Sequence, residues 1–218
     1  MQEIDIEKNS DLPVGFPVSF QEVREVHMLY TCAMREVIAK LENLNQEFEM
    51  VKSHNPIQHI KQRIKHPESI RKKMIRNNLP LEYDAMRQEI MDIAGIRVIC
   101  SYVDDIYAIA DMLIQQDDVT LIKTKDYIAN PKPSGYRSLH IIVKVPIFLS
   151  NEKQMIPVEI QMRTIAMDFW ACLEHQLRYK TSSGISVPIR NQLRNIAERT
   201  FDADMEMQQI YQQISSLS

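Results

Sequence analysis

The sequence predicts an α+β fold, in which a small mixed β-sheet is flanked by helices and long helices stand at both ends of the chain. β-rich apolar runs at residues 96–102, 119–126, 138–148 and 155–163 alternate with segments whose apolar residues recur every three or four positions. This alternation is typical of a sheet covered by helices. With 218 residues, of which 44% are apolar, the chain can fill the core of one domain of ordinary size.

Composition and charge narrow the class of protein. The formal net charge is −3, which disfavours a protein dedicated to coating nucleic acid, so we do not expect nucleic acid as the main partner. The three cysteines are far apart and form no CxxC pattern, which favours buried reduced thiols. The sequence has neither a signal-peptide pattern nor an apolar run long enough to cross a membrane. We therefore expect a soluble cytoplasmic protein with no membrane partner.

The first third of the chain predicts helices. Residues 1–18 are polar with two prolines and predict a flexible arm, and helical spacing of apolar residues predicts a long amphipathic helix over 19–53. The pair Asn55-Pro56 indicates the start of a second helix, strongly basic and divided at Pro67. Because residues three or four positions apart share one face of a helix, some of its basic residues could face a polyanion. A solvated helix face would have a similar charge run.

A carboxylate precedes the first predicted strand. Asp92 and Arg97 stand at the entrance to the apolar run 96–102, and a buried carboxylate is costly unless it is paired or binds a cation. An aspartate that only caps a turn would give the same sequence. Two further aspartates then mark the start of a helix over 104–116.

The most distinctive segment links two predicted strands at residues 127–138. Its prolines and Gly135 indicate an ordered turn, and its side chains are mainly Lys, Arg, Tyr and Ser. Charged donors suit phosphate oxygens, and an aromatic face suits a nucleotide base. An ordinary solvated basic hairpin would look similar. We interpret the segment as a candidate nucleotide-binding loop.

The last predicted strand alternates strictly between polar and apolar residues. Glu159, Gln161 and Arg163 share one face, which favours a site, although an exposed face of an antiparallel sheet gives the same pattern. Asp92 and Glu159 stand on strands that could be neighbours. Because Mg²⁺ takes one or two protein carboxylates plus water and phosphate oxygens, the pair predicts a Mg²⁺ site. No P-loop, GxSxG or HExxH motif occurs.

The C-terminal part predicts two more helices. The first covers 166–180, and the second opens at Pro188 and is rich in Gln. We therefore predict a domain over 19–180 and a helical extension over 181–218 that serves packing or oligomerisation.

Three motifs in order together resemble the synthetase domain of the RelA/SpoT superfamily. They are residues 92–97 (DIAGIR), 125–140 (KDYIANPKPSGYRSLH) and 158–164 (VEIQMRT). The resemblance spans about residues 20–215 and is strongest to stand-alone small alarmone synthetases of the RelP/RelQ type, nearer to the RelP (YwaC-like) branch.

The resemblance implies a fold, an activity and an assembly. The fold is nucleotidyltransferase-like, and the assembly is a homotetramer formed through the terminal helices. The activity is Mg²⁺-dependent transfer of the pyrophosphate of ATP to the ribose 3′-hydroxyl of GDP or GTP, releasing AMP, which makes ppGpp or pppGpp in the stringent response. Because the resemblance covers the synthetase domain alone, it implies synthesis without hydrolysis.

The resemblance also implies roles for individual residues. The residues that it assigns to ATP binding are Arg63, Lys65, Ser69, Lys73 and Arg97. Those that it assigns to GDP or GTP binding are Lys132, Ser134, Tyr136, His140, Gln161 and Arg163. The catalytic residues would be Glu159, Asp92 and Lys125, of which Asp92 and Glu159 would also bind the metal. Ser134 stands where many relatives have Asn.

Two other functions remain open. Toxin relatives of the same superfamily transfer pyrophosphate to tRNA or adenine nucleotides, and a non-catalytic module would bind a nucleotide or RNA without turnover. The presence of both carboxylates disfavours the non-catalytic module, and the negative net charge disfavours RNA. The preference among GDP, GTP and GMP cannot be read from the sequence.

Overall fold

The computed structural model describes residues 20–52, 54–179 and 186–217. The helices and strands within these residues are, in chain order, α1 Phe20–Val51, β1 Ile57–Ile64, α2 Pro67–Arg76, α3 Tyr83–Glu89, β2 Ala94–Cys100, α4 Val103–Ile114, β3 Thr120–Asp126, β4 Leu139–Phe148, β5 Lys153–Thr164, α5 Ile165–Tyr179 and α6 Val187–Ser215. The predicted arm at 1–18 lies outside the described residues.

The strands form one mixed sheet in the order β1-β2-β5-β4-β3. β2 and β5 are parallel, and the other neighbouring pairs are antiparallel. A short turn joins β4 to β5 and allows an antiparallel hairpin, as predicted from the sequence. The parallel β2–β5 pair begins with Ala94 opposite Val158, so it brings the end of the chain segment before β2 beside the middle of β5. The predicted α+β class is confirmed.

The hydrophobic core lies between one face of the sheet and the helices α1 and α4. Burying each large apolar side chain contributes about 1.5–3 kcal/mol relative to leaving it in water. The fully buried residues that the two helices contribute include Leu29, Val37, Leu41, Ile106, Ile109 and Leu113. Because this helical layer covers one face, the polar residues of the strands are left to the opposite face.

The prediction of a basic helix opening at Asn55-Pro56 is wrong. Residues 57–64 form β1, which pairs antiparallel with β2 from Ile57 opposite Cys100 to Ile64 opposite Ala94. The Asn55 side chain accepts a hydrogen bond from the Ile57 amide at 2.9 Å, as in a turn rather than a helix cap. Pairing with the edge of β2 therefore outweighs the local helix signal.

A basic helix does exist, but it is shorter than predicted and begins at Pro67 instead of after Asn55. His66 is its N-cap, and its Nδ1 accepts a hydrogen bond from the Glu68 amide at 3.3 Å. Proline fits the first turn because its missing amide would have no helical partner there. Pro67 thus starts α2 instead of dividing a longer helix, and Arg63 does not share a helix with Ser69.

The C-terminal helix α6 packs along α5 and reaches α4. The buried Asp204 accepts a short hydrogen bond from the hydroxyl of Thr164, and Trp170 Nε1 donates to the Leu193 carbonyl oxygen at 2.9 Å. The Asp104 amide donates to the Gln208 side chain at 3.0 Å. The boundary at residue 180 and the role of the extension in oligomerisation stay predictions.

Two further features bear on the expectations from composition. Cys32, Cys100 and Cys172 are free thiols, and burial raises the pKa of Cys100 to about 12. No helix within the described residues is both long and apolar enough to span a bilayer.

Candidate active site

The sheet face opposite the core carries a row of polar side chains, one from each strand. Lys61 pairs with Arg97, and Arg97 pairs with Gln161. Gln161 in turn pairs with His140, which pairs with Lys125. Since paired residues of adjacent strands point to the same side, the five side chains line one face. The row brings together residues predicted to bind ATP and residues predicted to bind the acceptor nucleotide.

A second row, two residues away along the strands, contains Glu159. Arg63 pairs with Gly95, and Gly95 pairs with Glu159. A Cβ on Gly95 would lie 3.7 Å from both Cγ and Nε of Arg63, at ordinary van der Waals distance, so the Arg63 side chain packs directly beside Gly95. A cleft of about 140 Å³ lies here, and Arg63 and Arg97 both line it. Two guanidinium groups in one cleft suit stacking on a planar base.

Asp92 lies in the turn before β2 and binds two lysines. Its Oδ2 is 2.6 Å from Lys65 Nζ, and its Oδ1 is 2.8 Å from Lys73 Nζ. Burial opposes ionisation, but the hydrogen bonds and charges of the two lysines outweigh it, so the pKa of Asp92 lies below its ordinary value. Asp92 is therefore ionised at neutral pH.

Asp92 forms the floor of a basic pocket of about 310 Å³ between α2 and the turn before β2. The side chains that line it are Lys65, Ser69, Lys72, Lys73, Arg76 and Asp92. A concentration of ammonium and guanidinium groups around one opening is suited to phosphate oxygens. Three of the five residues predicted to bind ATP line this pocket, namely Lys65, Ser69 and Lys73.

Glu159 projects from β5 beside His140. Gln161 Nε2 donates to Glu159 Oε2 at 2.9 Å, and His140 Nδ1 lies 3.5 Å from Glu159 Oε1. Burial favours the neutral acid, but the hydrogen bonds from His140 and Gln161 outweigh it and lower the pKa of Glu159. The charge of Asp92 acts in the opposite direction, which shows that the two carboxylates are electrostatically coupled.

A hydrogen-bond chain leads from Arg163 to Glu159. Arg163 Nη2 donates to the Tyr136 hydroxyl at 2.7 Å, and that hydroxyl lies 2.8 Å from His140 Nε2. If Tyr136 donates to Nε2, neutral His140 carries its proton on Nδ1 and can donate to Glu159. The chain fixes the orientation of Tyr136 and His140 together.

The central loop, residues 127–138 between β3 and β4, is held at its start and at its tip. Asp126 Oδ1 accepts hydrogen bonds from the Ile128 amide at 2.8 Å and the Ala129 amide at 2.9 Å. Near the tip, Gly135 has φ of +88° and donates from its amide to the Lys132 carbonyl oxygen at 2.8 Å. The positive φ favours glycine because other residues carry a Cβ that clashes there.

Aromatic rings and a cation line the central loop. Lys132 Nζ lies 4.5 Å from the ring centroid of Tyr127 and 4.6 Å from that of Tyr136. Such distances give favourable cation–π contacts. Ser134 is half-buried in the same loop, and Lys125 is exposed at the end of β3. The loop thus offers aromatic faces, a hydroxyl and a cation within one small region.

From the sequence, no role in the site was assigned to Asp168, Tyr127 or Lys61, although Tyr127 lies in the motif at residues 125–140. Asp168, in α5, accepts hydrogen bonds from Arg163 Nη1 at 2.9 Å and Arg97 Nη1 at 3.3 Å. Tyr127 makes an edge-on contact with His140, with ring centroids 5.2 Å apart. Lys61 was hidden by the prediction of a helix over its strand. Of these three residues, only Tyr127 had a signal in the sequence, which is its position directly after Lys125 and Asp126.

The carboxylates fit a Mg²⁺ ion that is shared with a substrate. Among residues 20–52, 54–179 and 186–217, no three His, Cys, Asp or Glu side chains gather into a cluster that could hold a metal ion alone. Asp92 and Glu159 supply two ionised oxygen ligands, and Mg²⁺ usually completes its shell with water and phosphate oxygens.

Comparison with known proteins agrees with this arrangement. Residues 62–184 match the family described as a region found in RelA / SpoT proteins. The chain is 41% identical over 180 residues to the GTP pyrophosphokinase YwaC of Bacillus subtilis, covering 83% of this chain and 86% of the relative.

Two crystal structures of the small alarmone synthetase 1 of Bacillus subtilis are also similar. The structure bound to its product pppGpp has a TM-score of 0.82 at 35% identity, covering 89% of this chain and 98% of the other. The structure bound to AMPCPP has a TM-score of 0.76 at 32% identity, covering 90% and 99%. The chain therefore belongs to the RelA/SpoT family, and within that family it is similar to the small alarmone synthetases.

Proposed function

We propose that this chain is a (p)ppGpp synthetase, which transfers the pyrophosphate of ATP to the ribose 3′-hydroxyl of GDP or GTP and releases AMP. The main support is a pair of carboxylates with lowered pKa values: Asp92, which lines the basic pocket, and Glu159, which projects from β5 beside His140 and the aromatic loop. The relatives named GTP pyrophosphokinase and the relative bound to pppGpp agree with this activity.

In this proposal ATP occupies the side of the site formed by β1, β2 and α2. The adenine stacks in the cleft between Arg63 and Arg97. Its phosphates extend toward Lys65, Ser69 and Lys73, which surround Asp92. The small alarmone synthetase 1 of Bacillus subtilis, which has a similar structure, binds AMPCPP, an ATP analogue, and this supports an ATP pocket in the present chain.

The guanine nucleotide occupies the side formed by β3, β4, β5 and the central loop. Tyr136 offers its ring to the guanine, and stacking on an aromatic face is tolerant of ring identity. Polar contacts to the nucleotide come from the residues around it, which are Lys132, Ser134, His140, Gln161 and Arg163. Lys125, at the end of the first polar row, is proposed to face the phosphates in transfer.

The reaction forms one bond and breaks one. The ribose 3′-oxygen attacks the β-phosphorus of ATP, the bond between that phosphorus and the α,β-bridging oxygen breaks, and AMP leaves with that oxygen. Glu159 accepts the proton of the attacking hydroxyl, a role for which it must be ionised. His140 and Gln161 hold the carboxylate in place for this step.

Asp92 and Glu159 are proposed to hold the Mg²⁺. The ion would neutralise negative charge on the phosphates as the transfer proceeds. Asp92 already attracts Lys65 and Lys73, so these lysines would be free to turn to phosphate oxygens once the carboxylate has a metal ion. Binding of Mg²⁺ would give these two acids a role within a basic surrounding.

We also propose a homotetramer, formed through the terminal helices together with α5, the helix that precedes α6. α5 presents an apolar stripe at intervals of four residues, and its members have exposed fractions of 43–57%. They are Ile165, Phe169, Leu173 and Leu177. A stripe at this spacing forms one face of a helix and favours packing against another protein surface.

The activity can be tested by product analysis. Purified protein is incubated with Mg²⁺, γ-labelled ATP and one acceptor at a time: GDP, GTP, GMP, ATP or bulk tRNA. We expect label in a guanosine tetra- or pentaphosphate, equal amounts of AMP, and no product with EDTA. Label on tRNA or an adenine nucleotide would instead indicate the toxin-like reaction. Binding of ATP without any transfer would indicate a non-catalytic module.

A further inference from the structure

A carboxylate outside the roles assigned above lies between the two proposed nucleotide pockets. Asp168, near the start of α5, has a side chain that is 13% exposed. Its Oδ1 accepts hydrogen bonds from Arg97 Nη1 at 3.3 Å and from Arg163 Nη1 at 2.9 Å. Its Oδ2 lies 4.0 Å from Nζ of Lys61, a side chain that is 60% exposed. One oxygen atom therefore holds an arginine from each side of the site.

The two arginines depend strongly on this carboxylate. The Nε atoms of Arg97 and Arg163 are buried and have no hydrogen-bond partner among the described residues, so the bonds to Asp168 provide much of what fixes the guanidinium groups. Arg163 is only 5% exposed. A buried guanidinium without a countercharge is strongly unfavourable, so Arg163 would move if Asp168 lost its charge.

The contacts continue from Arg163 into the acceptor side. Arg163 Nη2 donates to the Tyr136 hydroxyl at 2.7 Å, and Tyr136 contacts His140, which stands beside Glu159. The path therefore runs without a break from a donor-side arginine to the aromatic ring of the acceptor side. Each step is a hydrogen bond or ion pair between side chains that are at least half-buried.

Resting on the proposed function, we propose that Asp168 is a positioning residue that couples the binding of ATP to the binding of the guanine nucleotide. ATP that stacks on Arg97 fixes that guanidinium, and with it the shared Oδ1 of Asp168. Arg163 and Tyr136, which are already hydrogen-bonded to each other, are then held more rigidly before the second nucleotide arrives. Because part of the ordering entropy is lost with the first ligand, the second binds more tightly.

The coupling can be measured by calorimetry without turnover. The Kd of GDP is determined with and without saturating AMPCPP, in which a methylene group replaces the bridging oxygen that must be cleaved. We expect AMPCPP to lower the Kd of GDP about fivefold or more in the wild-type protein, the lower end of typical coupling. In Asp168→Ala and Asp168→Asn we expect the ratio of the two Kd values to fall to nearly one.

Two comparisons make the result specific. Asp111→Asn removes an exposed carboxylate on α4 and is expected to keep the wild-type ratio. Asp168→Asn retains the size and polarity of the side chain. If circular dichroism shows that Asp168→Ala does not fold, the ratio of the Kd values is therefore measured in Asp168→Asn alone. Reciprocity requires that GDP tighten AMPCPP binding by the same factor, and that this effect disappear in the same variants.

Three results would overturn the inference. They are equal Kd values for GDP with and without AMPCPP in the wild-type protein, a wild-type ratio in Asp168→Asn, and a variant in which both Kd values rise while their ratio is unchanged. The last would indicate a merely structural role. The labelled transfer assay separates these failures from failure of the function, because a wild-type protein that makes (p)ppGpp without coupling contradicts only the role of Asp168.

Discussion

Glu159 is the residue on which the proposed chemistry depends most directly. In Glu159→Gln the side chain keeps its size and its place beside His140 but cannot accept a proton. We expect the turnover number to fall by a factor of about 10²–10⁴, the usual contribution of a general base, or more if metal binding is lost as well. Nucleotide Kd values, measured by calorimetry, should change little. Near-normal formation of (p)ppGpp by this variant would exclude Glu159 as the base.

The low pKa of Glu159 gives a prediction about acid pH. Because the hydrogen bond from Gln161 helps to lower that pKa, the carboxylate stays ionised, and the enzyme active, until the pH falls below the ordinary range of a glutamic acid. Gln161→Leu removes the bond without adding a titrating group, so the pKa of Glu159 should rise. The acid limb of kcat/KM against pH should then move to higher pH.

This shift should be confined to the acid side of the profile. Circular dichroism over the same pH range shows whether both proteins stay folded, so that unfolding is not mistaken for titration. An acid limb that coincides in the two proteins would mean that another group controls it.

Tyr136 tests the assignment of the two pockets. Stacking of a base on an aromatic side chain contributes about 1–3 kcal/mol, so Tyr136→Ala should weaken GDP binding by roughly 5- to 150-fold. The Kd of AMPCPP alone should change far less. Tyr136→Phe keeps the ring but loses the hydroxyl bonded to Arg163, and it separates stacking from positioning. A loss confined to AMPCPP would show that the pockets are reversed.

At the same scale, local patterns in the sequence single out some residues of the candidate site. Strand alternation and a carboxylate in an apolar setting point to Asp92, Glu159 and Gln161, whose roles stay predictions. Asp168 could not be found in this way, since its partners Arg97 and Arg163 come from two different strands and meet it only through the sheet register. An amphipathic helix also has many polar positions, and nothing local distinguishes this one.

At the scale of elements, β1 shows how tertiary pairing overrides a local signal. Asn55-Pro56 is a good helix start, but Ile57, Ile60 and Ile64 are β-branched and the free edge of β2 needs hydrogen-bond partners. The sequence alone gives no way to compare these energies. The consequence for the site is large, because Arg63 lines the same cleft as Arg97 from a neighbouring strand instead of lying on a basic helix.

The contact between the central loop and α6 yields a prediction about Gly135. A Cβ at this position would lie 2.5 Å from Cβ of Ala197, and φ is +88°. Gly135→Ala should therefore displace the loop from α6 and raise the KM for GDP more than the KM for ATP. The strain in an unfavourable φ costs on the order of 1–3 kcal/mol.

A double substitution separates the two causes. Ala197→Gly removes the atom that clashes, so Gly135→Ala combined with Ala197→Gly should recover part of the KM for GDP. The unfavourable φ remains, and recovery should be incomplete. A Gly135→Ala variant with the wild-type KM for GDP would show that the loop binds without its contact with α6.

At the scale of the whole molecule, the sheet is the feature that makes one site from distant segments. Its five strands bring Lys61, Arg97, Gln161, His140 and Lys125 into one row. The sequence predicted an α+β fold with a mixed sheet, but it did not give the order of the strands. That order depends on which edges pair, and pairing is decided by contacts between residues far apart in the chain.

The proposed homotetramer predicts the mass of the protein in solution and the effect of a charge placed in the apolar stripe. The stripe on α5 exposes Phe169 and Leu173, and removing such apolar side chains from water favours association. Light scattering after gel filtration should give four times the mass of the chain for the wild-type protein. Leu173→Glu places a charge in the stripe and should give smaller species. Asp111→Lys, a change of charge at an exposed position of α4 outside the proposed interface, serves as a comparison for charge alone. A monomeric wild-type protein, or a Leu173→Glu variant of unchanged mass, would exclude this stripe as the interface.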